Sequence, residues 1–129
     1  MNILLFEDDF SWQRLLQIEL EEEGHSVTVY GDGSVLRDPS FNIDKFDVVI
    51  TDMEMPVDDG SVVIELVTTR DAELPILLHS FHYDGFFGGE LWQLADISGK
   101  YPSVTYHEKQ VGNTDYIYEF LEQVEQMYD

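Results

Sequence analysis

An α/β fold built on a parallel sheet is what this sequence predicts, and three observations predict it. Short, nearly unbroken apolar runs recur, as in Ile3-Leu4-Leu5-Phe6, Val48-Val49-Ile50 and Ile76-Leu77-Leu78. Amphipathic segments of helical period separate them, and a strand that is apolar throughout must be covered on both faces. The runs also end in reactive residues: Glu7-Asp8-Asp9 after the first, then Asp52, Ser80 and Lys109 after later ones. Parallel sheets place ligands outside the carboxyl ends of their strands. Carboxylates, a hydroxyl and an ammonium delivered along one such edge describe a site for a cation and a phosphate.

The elements follow in order. Residues 2–6 read as the first strand. Over 10–23, Trp12, Leu15, Leu16 and Leu20 recur at helical spacing, and Gly24 supplies the left-handed residue that ends a helix. Residues 27–30 form the second strand, closed by Gly31-Asp32-Gly33. Residues 34–38 allow one or two turns before Pro39, and 39–44 read as loop. The third strand spans 46–51. After the loop Met55-Pro56-Val57-Asp58-Asp59-Gly60, Ser61 can cap a helix that runs to Arg70 and buries Val62, Val63 and Leu66. Leu74-Pro75 leads into the fourth strand at 76–79, and the fifth lies near 103–107. Asn113 or Thr114 caps a last helix whose apolar stripe is Ile117, Phe120, Leu121, Val124 and Met127. Between Ser80 and Tyr101 the pattern is interrupted by Gly85, Gly88, Gly89 and Gly99, and only 90–97 is helix-like.

A chain of 129 residues fits one domain, 1–129, with a single well-filled core. Acidic residues outnumber basic ones 27 to 6, for a formal charge of −21. So few cations argue against direct binding of nucleic acid, which needs them to displace phosphate counterions, and against an anionic membrane surface. The acid suits a docking surface, or a chain adapted to high salt where screening relieves self-repulsion. Cysteine is absent, so thiolate catalysis, disulfides and cysteine-ligated metal centres are excluded. No apolar run approaches the roughly 20 residues that span a bilayer. The chain enters its first strand directly after Met1 with no basic-then-apolar leader, so a cytoplasmic protein is expected.

Each reactive residue alone has a bland reading. Acids favour helix N-termini, Asp52 could close a turn, and Lys109 could be a surface cation. Four coincident strand ends beside a Met-Pro-x-Asp-Asp-Gly loop outweigh those readings. Other candidates fall short. His79 and His82 lack a third metal ligand, so core packing is expected for His79 and exposure for His82. The glycine-rich 84–89 stretch lacks the Gly-Lys-Ser/Thr ending of a nucleotide loop. Tyr116, Tyr118 and Tyr128 read as helix amphipathicity, with a dimer face as the lesser alternative.

Taken together, these residues resemble the receiver domain of two-component response regulators, of the stand-alone chemotaxis type, over most of the chain. Glu7-Asp8 is similar to the family's acidic pair. Asp52, followed by Met53-Glu54-Met55-Pro56 and Asp58-Asp59-Gly60, resembles its acceptor loop. Ser80 resembles the switch hydroxyl, Lys109 the lysine ending the fifth strand, and Tyr106 the switch aromatic. The resemblance implies a flavodoxin-like, doubly wound sheet of five parallel strands in the order 2-1-3-4-5, with an atypical fourth-helix region. It implies that Asp52 is the phospho-acceptor. Mg2+ would be held by Asp8, Asp52 and the backbone carbonyl of Glu54, with Glu7 acting through water, while Ser80 and Lys109 hold phosphoryl oxygens. The implied donor is a histidine kinase or phosphotransfer protein, and the output passes through a partner rather than through enzymatic turnover. A monomer or weak dimer is expected.

In that strand order the first and third strands are neighbours, about 4.8 Å apart. Glu7, Asp8 and Asp52 are then crowded, and two carboxylates about 4 Å apart repel by roughly 4 kcal/mol at an effective dielectric of 20. A divalent cation offsets that repulsion, and an all-oxygen donor set suits magnesium. Phosphoryl transfer needs an in-line oxygen nucleophile, a cation and fixed donors for the equatorial oxygens. A carboxylate is a competent nucleophile, and a lysine supplies a point charge suited to phosphate.

Three features depart from the family. Gln110 replaces the usual proline after the lysine, Phe81 replaces a small residue after the switch hydroxyl, and 82–100 lacks the usual fourth helix. Two other function classes therefore stand beside the first. One is a receiver acting as a phosphorylation-independent interaction module. The other is a small flavodoxin-like phosphatase using Asp52, for which the chain lacks the length of a substrate cap.

Overall fold

The computed structural model describes residues 1–81 and 99–128. Five parallel strands form one sheet: β1 (Asn2–Phe6), β2 (Ser26–Tyr30), β3 (Val48–Asp52), β4 (Ile76–Ser80) and β5 (Val104–Glu108). Their order is β2-β1-β3-β4-β5, as the resemblance to receiver domains implies. Helices α1 (Phe10–Glu22), α2 (Gly60–Arg70) and α3 (Asp115–Met127) pack on it, and short 3-10 turns occupy Gly33–Arg37 and Ile43–Lys45.

The burial of each strand follows its place in the sheet. In β3 and β4, both central, every residue is buried, whereas in the edge strands β2 and β5 every residue except Val104 is half-buried or exposed. Side chains of a strand alternate between faces, and the sheet sorts them accordingly. Leu4, Phe6, Val49, Ile76 and Leu78 point to one side, where Val63, Ile64 and Val67 of α2 cover them. Ile3, Leu5, Val48, Ile50 and Leu77 point to the other, against Leu16 and Leu20 of α1 and Ile117, Phe120, Leu121 and Val124 of α3. Two cores thus clamp the central strands and fix where their carboxyl ends emerge.

Several expectations need correction. Helix α2 is capped by Asp59, not Ser61: the Asp59 Oδ1 accepts the backbone N–H of Ser61 at 3.0 Å and of Val62 at 3.2 Å. The helix can begin there because Gly60 has no side chain. A Cβ at Gly60 would lie 2.5 Å from the Asp52 carbonyl oxygen, so glycine lets the first turn of α2 abut the end of β3. Starting earlier, α2 buries Val63, Ile64 and Val67, and leaves Val62 and Leu66 half-buried. Strand β3 starts at Val48 rather than at 46, because Phe46 instead stacks on Phe41. At α3, Thr114 sits in the cap position but turns its hydroxyl to Glu19 at 2.8 Å, and the Asn113 Oδ1 accepts the Asp115 N–H at 3.0 Å. Met127 and Leu15 lie at the margins of their stripes and are exposed. Gly24 ends α1 as expected, with φ of +91°. The expectations for His82, for the glycines of 84–89 and for the 90–97 helix lie outside the described residues.

Candidate functional site

The four predicted strand ends converge. Glu7 follows β1 directly, and its backbone N–H still reaches the Tyr30 carbonyl at 3.0 Å, so the strand's geometry carries it into the interior. It is fully buried. The next residues turn into α1: Asp9 caps that helix by accepting the Trp12 N–H at 2.9 Å, which leaves Asp8 exposed at the turn. Asp52 ends β3, one strand over, and is buried. Carboxylate oxygens of Glu7, Asp8 and Asp52 all lie within 4.8 Å of one another.

Lys109 comes from the far edge. Its backbone N–H donates to the Ser80 carbonyl at 2.8 Å, and this extension of the β4–β5 pairing aims the side chain inward. The ammonium donates to Glu7 Oε2 at 2.7 Å and to Asp52 Oδ2 at 3.3 Å, with Lys109 only 3% exposed. Ser80 is buried at the end of β4. Glu7, Asp8, Asp52 and Lys109 open onto a cleft of about 890 Å³ lined also by Trp12, Glu54, Met55 and Phe81, whereas the Ser80 hydroxyl lies behind it, 3.5 Å from the Phe81 carbonyl. Glu54 is exposed at its rim. Tyr106 pairs with Leu78 in the sheet and packs half-buried against the α2-side core, on the strand next to Ser80.

One cation among three acids leaves the site electrostatically strained. Burial, and then the charge of Asp52, push the Glu7 carboxyl up to about 7 despite its bond to Lys109. Burial likewise raises Asp52, with Lys109 opposing. Glu7 has both oxygens engaged, since Oε1 accepts the Asp9 N–H at 3.1 Å while Oε2 takes Lys109. The donors present are hard oxygens around an open cleft, which fits a small divalent cation that keeps part of its water shell.

Some participants were not legible in the sequence. The face of Trp12 lies 4.6 Å from the Lys109 ammonium, and Phe81 closes the same corner at 5.4 Å. His79 is buried as expected, but it also pairs its Nδ1 with the Tyr116 hydroxyl at 2.9 Å. Burial and the nearby Lys109 charge lower the His79 imidazole to about 3, so it is neutral, and its Nε2, 3.9 Å from Glu7, has no hydrogen-bond partner among the described residues. Burial raises the Tyr116 phenol. Arg37 forks onto Asp58 at 2.7 and 2.8 Å and so ties the loop after Asp52 to the Gly33–Arg37 turn. Gln110 follows Lys109 through a trans bond, as all described peptides are trans.

A parallel sheet with a buried acid-and-lysine corner at its carboxyl edge defines a class of signalling domain, and comparison with known proteins identifies which. The response regulator receiver domain family model matches residues 3–94, and the chain belongs to that family. It is similar to the transcriptional regulatory protein RprY of Bacteroides fragilis, 35% identical over 77 residues that make up 60% of this chain and 32% of RprY. It is also similar to the two-component response regulator ARR10 of Arabidopsis thaliana, 35% identical over 88 residues, 65% of this chain and 15% of ARR10. The match thus spans a third or less of these relatives. Among solved structures, a receiver domain protein from Clostridium thermocellum superposes with a TM-score of 0.79 at 21% identity, covering 98% of this chain and 96% of its own. The response regulator TrrA of Thermotoga maritima, determined with Mg2+ and BeF, gives 0.71 at 23% identity over 95% and 97%. These structures share the fold. Among the described residues, no helix is long and apolar enough to cross a membrane.

Proposed function

We propose that the protein is a phospho-accepting receiver in which Asp52 takes a phosphoryl group with the help of Mg2+. The observation that carries the reading is the convergence of Glu7, Asp8 and Asp52 within 4.8 Å, with the Lys109 ammonium buried against two of them. An Asp52 oxygen forms the new bond to phosphorus as the bond from phosphorus to the donor's nitrogen or oxygen breaks, giving an acyl phosphate. Magnesium supplies charge neutralisation for the equatorial oxygens. Asp8, Asp52 and the Glu54 carbonyl would be its protein ligands. Glu7, with both oxygens occupied, acts through water. Lys109, already beside Asp52, donates to the phosphoryl group from where it stands, and Ser80 donates its hydroxyl to it. Tyr106, on the strand beside Ser80, changes environment as Ser80 moves.

The donor is a histidine kinase or phosphotransfer protein of the cytoplasm, in keeping with the response regulators to which the chain is similar. The output passes to a protein partner, with residues 1–129 acting as one domain. Intact-mass analysis after incubation with Mg2+ and phosphoramidate tests the reading. One phosphoryl group is expected on the wild type and none on Asp52→Asn. A folded protein that takes no phosphate with Mg2+ present would instead be the phosphorylation-independent interaction module, and label surviving in Asp52→Asn would place the nucleophile elsewhere.

A further inference from the structure

Lys109 lies in surroundings that its charge alone does not explain. Its ammonium is buried with two acidic partners, Glu7 and Asp52. Two aromatic rings also stand against it. The Trp12 ring face stands 4.6 Å from Nζ and the Phe81 ring 5.4 Å, and the two rings meet edge to face at 5.9 Å. Trp12 is braced in turn. Its backbone N–H is held by the Asp9 cap at 2.9 Å, and its ring sits edge-on to the buried His79 at 6.0 Å. A ring face attracts a cation most strongly when both are desolvated, and indole does so better than benzene.

We infer that Trp12 is a positioning residue for Lys109: its ring face holds the ammonium against Asp52, so that the charge is already in place when phosphoryl oxygens arrive. The inference deepens the phospho-acceptor reading and rests on it. A lysine stem is flexible and its ammonium a mobile point charge. Without a counter-surface, Nζ is free to swing out of the cleft toward water, and it must then be reordered during the reaction. Preorganised charge acts without that reordering. The role belongs to Trp12 because its ring lies closer than that of Phe81 and because the first turn of α1, capped by Asp9, fixes it.

Two measurements test this, one of them independent of phosphorylation. In the first, the Lys109 side-chain NMR signals, assigned through Lys109→Met, are compared between wild type and Trp12→Leu. The ε-methylene protons of the wild type are expected upfield, under the indole ring current, and those of Trp12→Leu at ordinary positions. Unchanged signals overturn the inference whether or not Asp52 accepts phosphate. In the second, the rate of Asp52 phosphorylation from phosphoramidate is followed as Trp12 is fluorinated. The chain has two tryptophans, so Trp92→Phe serves as background and fluorinated tryptophans are incorporated at position 12. Fluorine drains the ring face of charge without changing its shape. The logarithm of the rate should fall steadily with each fluorine, Trp12→Phe should fall between, and Trp12→Leu should be slower roughly tenfold. Mg2+ affinity, which does not involve the ring, should hold. A purely structural role for Trp12 predicts a flat fluorine series, and that result overturns the inference while the phospho-acceptor reading stands. A wild type that takes no phosphate overturns that reading, and the Lys109 signals then decide whether the indole holds the ammonium.

Discussion

The two ends of the sheet treat charge in opposite ways. At the amino end, Asn2, Ser26, Asp44 and Lys45 are exposed, and Asp47 satisfies the Asn2 N–H at 2.7 Å close to solvent. At the carboxyl end, Glu7, Asp52, Ser80 and Lys109 are all buried, with two acids sharing one lysine. The same five strands build both ends, so topology does not account for the difference. Burying ions costs several kcal/mol each unless they are paired, and here the pairing is incomplete, as the raised Glu7 and Asp52 carboxyls show. The lesson is that the amino end is built for stability. The carboxyl end gives up stability to bury unbalanced negative charge, the charge on which the proposed Mg2+ and phosphoryl site would draw.

The largest expected effect comes from removing the shared cation. Lys109→Met keeps most of the stem but leaves Glu7 and Asp52 unpaired, and should cost about 3–5 kcal/mol of unfolding free energy at pH 8 in EDTA, read by urea denaturation. A loss within about 0.5 kcal/mol, typical of an ordinary surface site, would mean that charge at this end is as well solvated as at the other.

Next comes Glu7→Gln. A carboxyl raised in the folded state to about 7 from 4.5 favours the fold while protonated. Its contribution is full below the unfolded pKa and is lost as pH rises through the folded one. Metal-free stability should therefore fall between about pH 4.5 and 7, by an amount on the order of 3 kcal/mol for a shift of this size. Subtracting the Glu7→Gln profile removes the contribution of general charge repulsion, which at −21 runs in the same direction. If the two profiles are parallel, Glu7 is not the strained group.

A smaller and more local effect is expected at the loop after Asp52. Asp58 is held below the usual carboxylate range by Arg37, which donates two hydrogen bonds to it, and its backbone carbonyl accepts the Gly33 N–H at 3.1 Å. Arg37→Ala should leave global stability nearly unchanged and speed hydrogen exchange over 53–59 several-fold, since that loop then opens on its own. Exchange unaffected by the substitution would show that Gly60 packing alone holds the loop.

Most of the sheet was legible because apolar strands buried on both faces leave an unambiguous pattern, and the residue after each strand is placed by the strand itself. Glu7 and Lys109 follow their strands and Asp52 ends its own, which is why these three meet, with Ser80 ending β4 at the same edge. The helix phase was less legible. Asp59-Gly60-Ser61 offers two capping side chains two residues apart, and the close approach of Gly60 to Asp52 selects Asp59. Leu15 and Met127 continue their periodic stripes in sequence but overhang the core in space. Trp12 reads as a core position of an amphipathic helix, and nothing near it in sequence points to Lys109. The pairing of His79 with Tyr116 and of Arg37 with Asp58 likewise depends on tertiary placement.

The central claim is that the buried acids at the carboxyl end are held in strain for a cation to relieve. Titration calorimetry of Mg2+ binding at pH 7, in two buffers of different ionisation enthalpy and at constant ionic strength, measures it directly. With Glu7 raised to about 7, it is partly protonated in the metal-free protein, so Mg2+ should release up to roughly half a proton per ion bound. Glu7→Gln should bind Mg2+ with that release reduced. Binding heats independent of the buffer at pH 7, or no binding at all, would contradict the account.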